Sequence, residues 1–169
     1  CLQGQSAGAH LVLLAAGTPN LRELDPPDAD ISISAECAAV AAFYPPTIMY
    51  RGERRVSGGT AARALKGSDV SDELAKQASP ITYVHPHFPP TMLLHGDKDT
   101  VVPVSASRRF EEALRAAGGS CDMQMFAGLP HGFAGNAALR PALVATLSAF
   151  FGRTVREPAK SVPAAPAAA

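Results

Sequence analysis

The segment that most limits the folds open to this chain is Gly4-Gln5-Ser6-Ala7-Gly8, with the run AHLVLLAA (9–16) directly behind it. A helix that is apolar nearly all the way round has no solvent face to offer and belongs in an interior. Read as a helix, Ser6–Ala16 leaves Gly17 as the C′ stop, with Pro19 just beyond it. Cys1-Leu2-Gln3 then remains as the stub of a strand. A strand turning sharply into a buried helix requires a sheet with helices laid against it, an α/β arrangement with a mostly parallel sheet and helices on both faces.

The rest of the chain continues that alternation. Residues 18–35 are polar and turn-rich, with Asp25-Pro26-Pro27-Asp28, and read as a surface loop. CAAVAAFY (37–44), closed by Pro45-Pro46, reads as a strand buried on both faces. Residues 45–90 are mixed in composition. Short helices are predicted at 60–65 and at 71–77, where Ser71 stands ahead of Asp72-Glu73 as a cap would. Pro80, Pro86, Pro89 and Pro90 break up the remainder, so 45–90 reads as an irregular excursion from the sheet, placed to cap a pocket. TMLLH (91–95) is a second short apolar strand, ended by Gly96. Residues 103–117 form the clearest amphipathic helix, with Val104, Phe110, Ala113, Leu114 and Ala117 inward and Arg108, Arg109, Glu111, Glu112 and Arg115 outward. CDMQMF (121–126) alternates as a strand does, and a last helix starts near Pro141 with Leu143, Val144, Leu147, Phe150 and Phe151 as its buried face. The Pro/Ala-rich tail at 153–169 has nothing large to bury and is expected to be disordered. Residues 1–152 are thus read as part of one domain.

Charge and composition remove several function classes. Fifteen Lys and Arg balance fifteen Asp and Glu, which argues against a nucleic-acid partner, since that partner calls for a clustered basic face. No apolar run is long enough to span a bilayer. Cys1, Cys37 and Cys121 are too few and of the wrong parity for a disulfide framework, and are expected to be buried free thiols. No CxxC pair or His/Cys cluster has zinc-site spacing. Cellular compartment and oligomeric state are not legible.

The chemistry is carried by three residues. GxSxG forms a nucleophile elbow when the serine sits on a tight strand-to-helix turn, with its hydroxyl projecting into a cleft. Gly4, Gln5 and Gly8 are the elbow positions around Ser6, and the glycines are expected to relieve crowding. The following helix points its N-terminus at the reacting carbonyl, so the Ala7 amide is the expected oxyanion donor. A serine hydroxyl needs a base to take its proton, and the base needs a carboxylate to fix its tautomer. His131, in Gly128-Leu129-Pro130-His131-Gly132-Phe133, and Asp99, in the loop after TMLLH, both follow strands. Sites in open parallel sheets collect at such positions. Asp97 competes with Asp99 for the acid role and could instead bond the loop. His10 is read as a packed core histidine and His95 as a brace for the turn at Gly96. His85 and His87 are read as solvated loop residues. His95, Asp97 and Asp99 match no familiar metal-site spacing.

GQSAGAHL (4–11), SPITYVHPHFPPTMLLHGDKDTVVPVSASRRFEEALRAAG (79–118) and GLPHGF (128–133) resemble the α/β-hydrolase esterases that group with bacterial feruloyl and acetyl-xylan esterases, kynurenine formamidase and hormone-sensitive-lipase-like enzymes. The resemblance covers roughly residues 1–152. It implies the α/β-hydrolase fold and a carboxylesterase acting on a small-molecule ester with no metal or organic cofactor, with Ser6 as nucleophile, Asp99 as acid and His131 as base. Such enzymes carry several strands and an HGG-type oxyanion loop ahead of the elbow. The chain is therefore read as the C-terminal part of a longer domain, unstable and nearly inactive by itself. Amide or formamide hydrolysis and peptidase action use the same triad and stay open. So does a non-catalytic ligand-binding protein on the same fold, a class that tends to lose a triad member.

Overall fold

The structure is a computed structural model that describes residues 1–30, 32–49 and 71–156. Four parallel strands make the sheet: β1 (Leu2–Gln5), β2 (Val40–Phe43), β3 (Thr91–Gly96) and β4 (Cys121–Phe126), ordered β1-β2-β3-β4 in space as in sequence. Parallel neighbours need long crossovers. Helix α1 (Ala7–Gly17) returns the chain from β1 to β2, and α3 (Val104–Ala116) from β3 to β4. Between β2 and β3 lie α2 (Asp72–Gln77) and a 3-10 turn at Pro80–Tyr83, and α4 (Arg140–Phe151) follows β4.

Side chains on a strand alternate between faces, and two cores result. Val40, Ala42, Leu93 and Cys121 meet Ala9, Leu13 and Ala16 of α1 and Phe110 and Leu114 of α3 on one face. Ala41, Phe43, Met92 and Leu94 meet Phe133, Leu143 and Phe150 on the other. β3 is buried at all six positions, as its apolar run predicts. Each large side chain fully buried this way, such as Phe110 or Leu13, contributes about 1.5–3 kcal/mol.

Most elements fall where the pattern predicts, with instructive departures. α1 ends one residue later than expected, and Gly17 is its last helical residue, not a left-handed stop. Its absent side chain is explained by packing: a Cβ there would lie 2.8 Å from the Tyr83 Cβ and 3.0 Å from the Phe88 ring. Among the described residues the all-apolar surface of α1 is not all covered, and Leu11 is 62 % exposed. β2 is half as long as the apolar run, since only 40–43 pair with neighbours. In α3 the inward face is Ala106, Ser107, Phe110 and Leu114. In α4, Val144 turns outward and is exposed. Beyond α4 the helix widens into one π-turn at Gly152–Arg156, so residues 153–156, expected to be disordered, are helical, and the rest of the expected tail lies outside the described residues. Only Cys121 among the cysteines is buried; Cys37 is half-buried and Cys1 exposed. All three are free thiols. Ser71 caps α2 by accepting from the Leu74 amide, whereas the helix predicted at 60–65 lies outside the described residues.

Candidate active site

All four strands deliver their C-terminal ends to one side of the sheet. Ser6 follows β1 with φ +51° and ψ −117°, a conformation that costs an L residue of order 1–3 kcal/mol. Its amide is held by the Phe43 carbonyl at 3.0 Å, and its own carbonyl accepts the first helical bond, from His10 N. The two elbow glycines are not equivalent. A Cβ on Gly4 would stand 2.3 Å from the Gly8 carbonyl oxygen and 2.7 Å from the Ala9 amide nitrogen. Gly4 is thus bare so that the first turn of α1 can lie on β1. A Cβ on Gly8 would meet nothing within 4 Å, so crowding explains the first glycine and not the second. Ala7 opens α1, which places its amide among the unpaired N–H groups of the first turn. Gln5, at the end of β1, accepts a 3.0 Å hydrogen bond from the Tyr44 hydroxyl.

Asp99 and His131 come from the loops after β3 and β4. Ser6 Oγ is 2.9 Å from His131 Nε2, and His131 Nδ1 is 2.7 Å from Asp99 Oδ2. A carboxylate only accepts, so Nδ1 carries the proton and Nε2 is free to accept from the serine. The Asp99 side chain is fully buried, and that of His131 is 19 % exposed. The other carboxylate oxygen, Oδ1, accepts from the amides of Val101 and Val102, both at 2.8 Å. Asp97 is used differently: its Oδ1 accepts from Gly128 N at 2.7 Å. The two acids therefore divide the work, with Asp97 pinning the turn that leads to His131 and Asp99 holding the imidazole.

The same two loops are locked by backbone. Lys98 N donates to the Leu129 carbonyl, and that oxygen would lie 2.2 Å from any Cβ on Gly96. Gly128 and Gly132 both adopt left-handed φ on either side of the Leu129-Pro130-His131 crossing. These details explain why His131 is framed by glycines.

The remaining histidines separate cleanly. His10 is half-buried and donates from Nε2 to the Ala78 carbonyl at 2.7 Å, tying α1 to the end of α2. His85 is half-buried against Phe88 and His87 is exposed. His95 is fully buried, 3.0 Å from the Val102 carbonyl and 2.7 Å from Ser107 Oγ. Burial pushes its pKa down, against the opposing pull of the Val102 carbonyl and Asp99. Its bonds run to the Asp99 loop and to α3, so it braces more than the turn at Gly96. Among the described residues no group of three or more His, Cys, Asp or Glu is arranged to hold a metal, and no helix is long and apolar enough to cross a membrane.

Tyr44 is the residue sequence reasoning missed. It has φ +40°, is 2 % exposed, and sets its ring edge-on to His131 at 4.6 Å between centroids. Its hydroxyl reaches Gln5, so one side chain touches both the elbow and the histidine. Burial raises the phenol pKa. Its position at the end of β2, where the other strands place their site residues, was the available signal.

The BD-FAE family model matches residues 1–114. The chain belongs to the BD-FAE family. It is 37 % identical over 158 residues to the esterase LipQ of Mycobacterium tuberculosis, covering 89 % of this chain and 37 % of LipQ. It is 32 % identical over 117 residues to the esterase LipC of the same organism, covering 67 % of this chain and 29 % of LipC. Among solved structures, Thermogutta terrifontis esterase 2 phosphonylated by sarin superposes with a TM-score of 0.75 at 26 % identity, covering 89 % of this chain and 55 % of that one. The propionate-bound form of the esterase from T. terrifontis gives a TM-score of 0.68 at 28 % identity, covering 90 % and 56 %. This BD-FAE member therefore has the α/β-hydrolase fold, and it spans about a third of the curated relatives' length and just over half of the solved ones.

Proposed function

We propose that the protein is a serine carboxylesterase in which Ser6 is the nucleophile, His131 the base and Asp99 the acid. The observation that carries this is the unbroken hydrogen-bond string Ser6 Oγ, His131 Nε2, His131 Nδ1, Asp99 Oδ2, with links of 2.9 and 2.7 Å, at the C-terminal ends of parallel strands. In the first half-reaction Ser6 Oγ attacks the ester carbonyl while its proton passes to His131 Nε2. Asp99 stabilises the imidazolium without taking the proton. The oxyanion is held by the Ala7 amide at the N-terminus of α1. The carbonyl re-forms as the C–O bond to the alcohol breaks, and His131 returns its proton to the departing alkoxide. Water then attacks the acyl-serine by the same route, releasing the acid and free Ser6.

The propionate bound by the T. terrifontis relative supports a short acyl group as the preferred substrate portion. Fluorophosphonate labelling of the complete protein, with peptide mapping, tests the roles. Label is expected on Ser6, abolished in Ser6→Ala and strongly slowed in His131→Ala. A folded protein that takes no label, and does not hydrolyse p-nitrophenyl propionate, would refute the assignment. Faster turnover of N-formylkynurenine than of p-nitrophenyl acetate would replace ester with formamide hydrolysis.

A further inference from the structure

Asp99 is surrounded on all sides by donors, and one of them is a second histidine. Oδ1 takes the Val101 and Val102 amides; Oδ2 takes His131 Nδ1 and lies 3.3 Å from His95 Nε2. His95 Nε2 faces two groups that can only accept, the Val102 carbonyl at 3.0 Å and the Asp99 carboxylate. The ring proton must therefore sit on Nε2 and be shared between them. Nδ1 is left as the acceptor for the Ser107 hydroxyl at 2.7 Å. Ser107 lies on the buried face of α3, where a polar residue is unexpected unless it has such a partner. Both His95 and Asp99 side chains are fully buried, so water cannot take the place of either bond.

We infer that His95, oriented by Ser107, is a positioning residue for Asp99: it fixes the rotamer of the carboxylate and draws part of its charge away from His131. This rests on the esterase reading for its kinetic consequence, but not for its geometry. With His95 replaced by Leu, Oδ2 has one donor fewer and the carboxylate can turn. More of its negative charge then bears on His131, which raises the basicity of the imidazole. Hydrogen bonds to charged groups are the stronger class, and losing one at the weak end of that class costs about tenfold.

The test compares His95→Leu, His95→Gln and Ser107→Ala with wild type by two readouts. In wild type, nitrogen-15 NMR is expected to find His95 protonated on Nε2 and bare on Nδ1. The downfield proton on His131 Nδ1 is expected to shift in His95→Leu and to broaden in Ser107→Ala. It should stay near its wild-type position in His95→Gln, whose amide can still donate toward Asp99. In parallel, kcat for p-nitrophenyl propionate should fall about tenfold in His95→Leu with KM little changed. The acid limb of kcat/KM should move to higher pH, and His95→Gln should recover most of both effects. A merely structural His95 would lower Tm in all three variants alike and leave the His131 proton and the pH limb unmoved, which overturns the proposal. If His95→Leu does not fold, an unchanged His131 proton in Ser107→Ala overturns it equally. Because the NMR arm needs no turnover, an inactive wild type would sink the esterase reading and still decide the role of His95.

Discussion

Gly96→Ala should disable the site without touching any residue of the hydrogen-bond string. The added Cβ would stand 2.2 Å from the Leu129 carbonyl oxygen and 2.8 Å from its carbonyl carbon, where ordinary contact begins at 3.4 Å. Both obstacles are backbone, and β3 is buried along its whole length and cannot retreat. The 128–132 loop must therefore move outward by about 1 Å, carrying His131 two residues along. A misplacement of that size costs about 10²-fold in rate, or about 2.7 kcal/mol of transition-state stabilisation. The same movement weakens the Lys98–Leu129 backbone bond, worth about 1 kcal/mol, and adds overpacking strain of about 1–3 kcal/mol. Initial rates on p-nitrophenyl propionate should show kcat reduced about 10²-fold with KM nearly unchanged. The melting temperature should fall by roughly 4–16 °C. A variant that keeps more than a third of the wild-type kcat would refute the claim that the Gly96–Leu129 crossing sets the position of His131.

The division of work between the two aspartates predicts unequal kinetics. Asp99→Asn should lower kcat about 10⁴-fold by presenting the wrong partner to the imidazole. Asp97→Ala should cost under tenfold and about 1 kcal/mol of stability from the lost Gly128 bond; equal losses in both would contradict it. Tyr44→Phe keeps the ring against His131 and removes the hydroxyl's bonds to Gln5 and to the Ala134 backbone, so turnover should stay within about threefold while stability drops by about 0.5–1.5 kcal/mol for each bond. A much larger loss of turnover would show that the hydroxyl, not the ring, is what matters. Stability should also depend on acidity through His95. Its native pKa lies below the ordinary 6.5 because burial penalises the charged ring, so the unfolded chain binds the extra proton. That contribution is intact above about pH 6.5 and is lost as pH falls, with a slope of at most ~1.4 kcal/mol per pH unit. Denaturant titrations at stepped pH should show this slope in wild type and not in His95→Gln.

How far the sequence could be read depended on the length scale of the cause. Local causes were legible: the apolar runs at 37–44 and 91–95 marked strands buried on both faces, and Ser71 marked a helix start. The grouping of Ser6, Asp99 and His131 was legible because a parallel sheet sends every strand's C-terminal end to one side, so residues far apart in sequence share an address. What escaped were decisions made by tertiary neighbours. Gly17 resembles a helix stop but is bare because Tyr83 and Phe88 crowd it. Ser107 falls on the apolar face of α3 because its partner is His95, twelve residues earlier. Tyr44 carries no motif; its role exists only once β1 and the 128–133 loop lie beside it.

The clamps described above are unevenly distributed around the reacting atoms. Asp99 and His131 sit on loops fastened to each other by Asp97, Gly96 and Lys98, whereas Ser6 meets them through the Ser6–His131 bond and the Tyr44 side chain. The carboxylate and the imidazole thus form one mechanical unit and the serine another. The distance most open to adjustment is the 2.9 Å gap between Ser6 Oγ and His131 Nε2, where the two units meet.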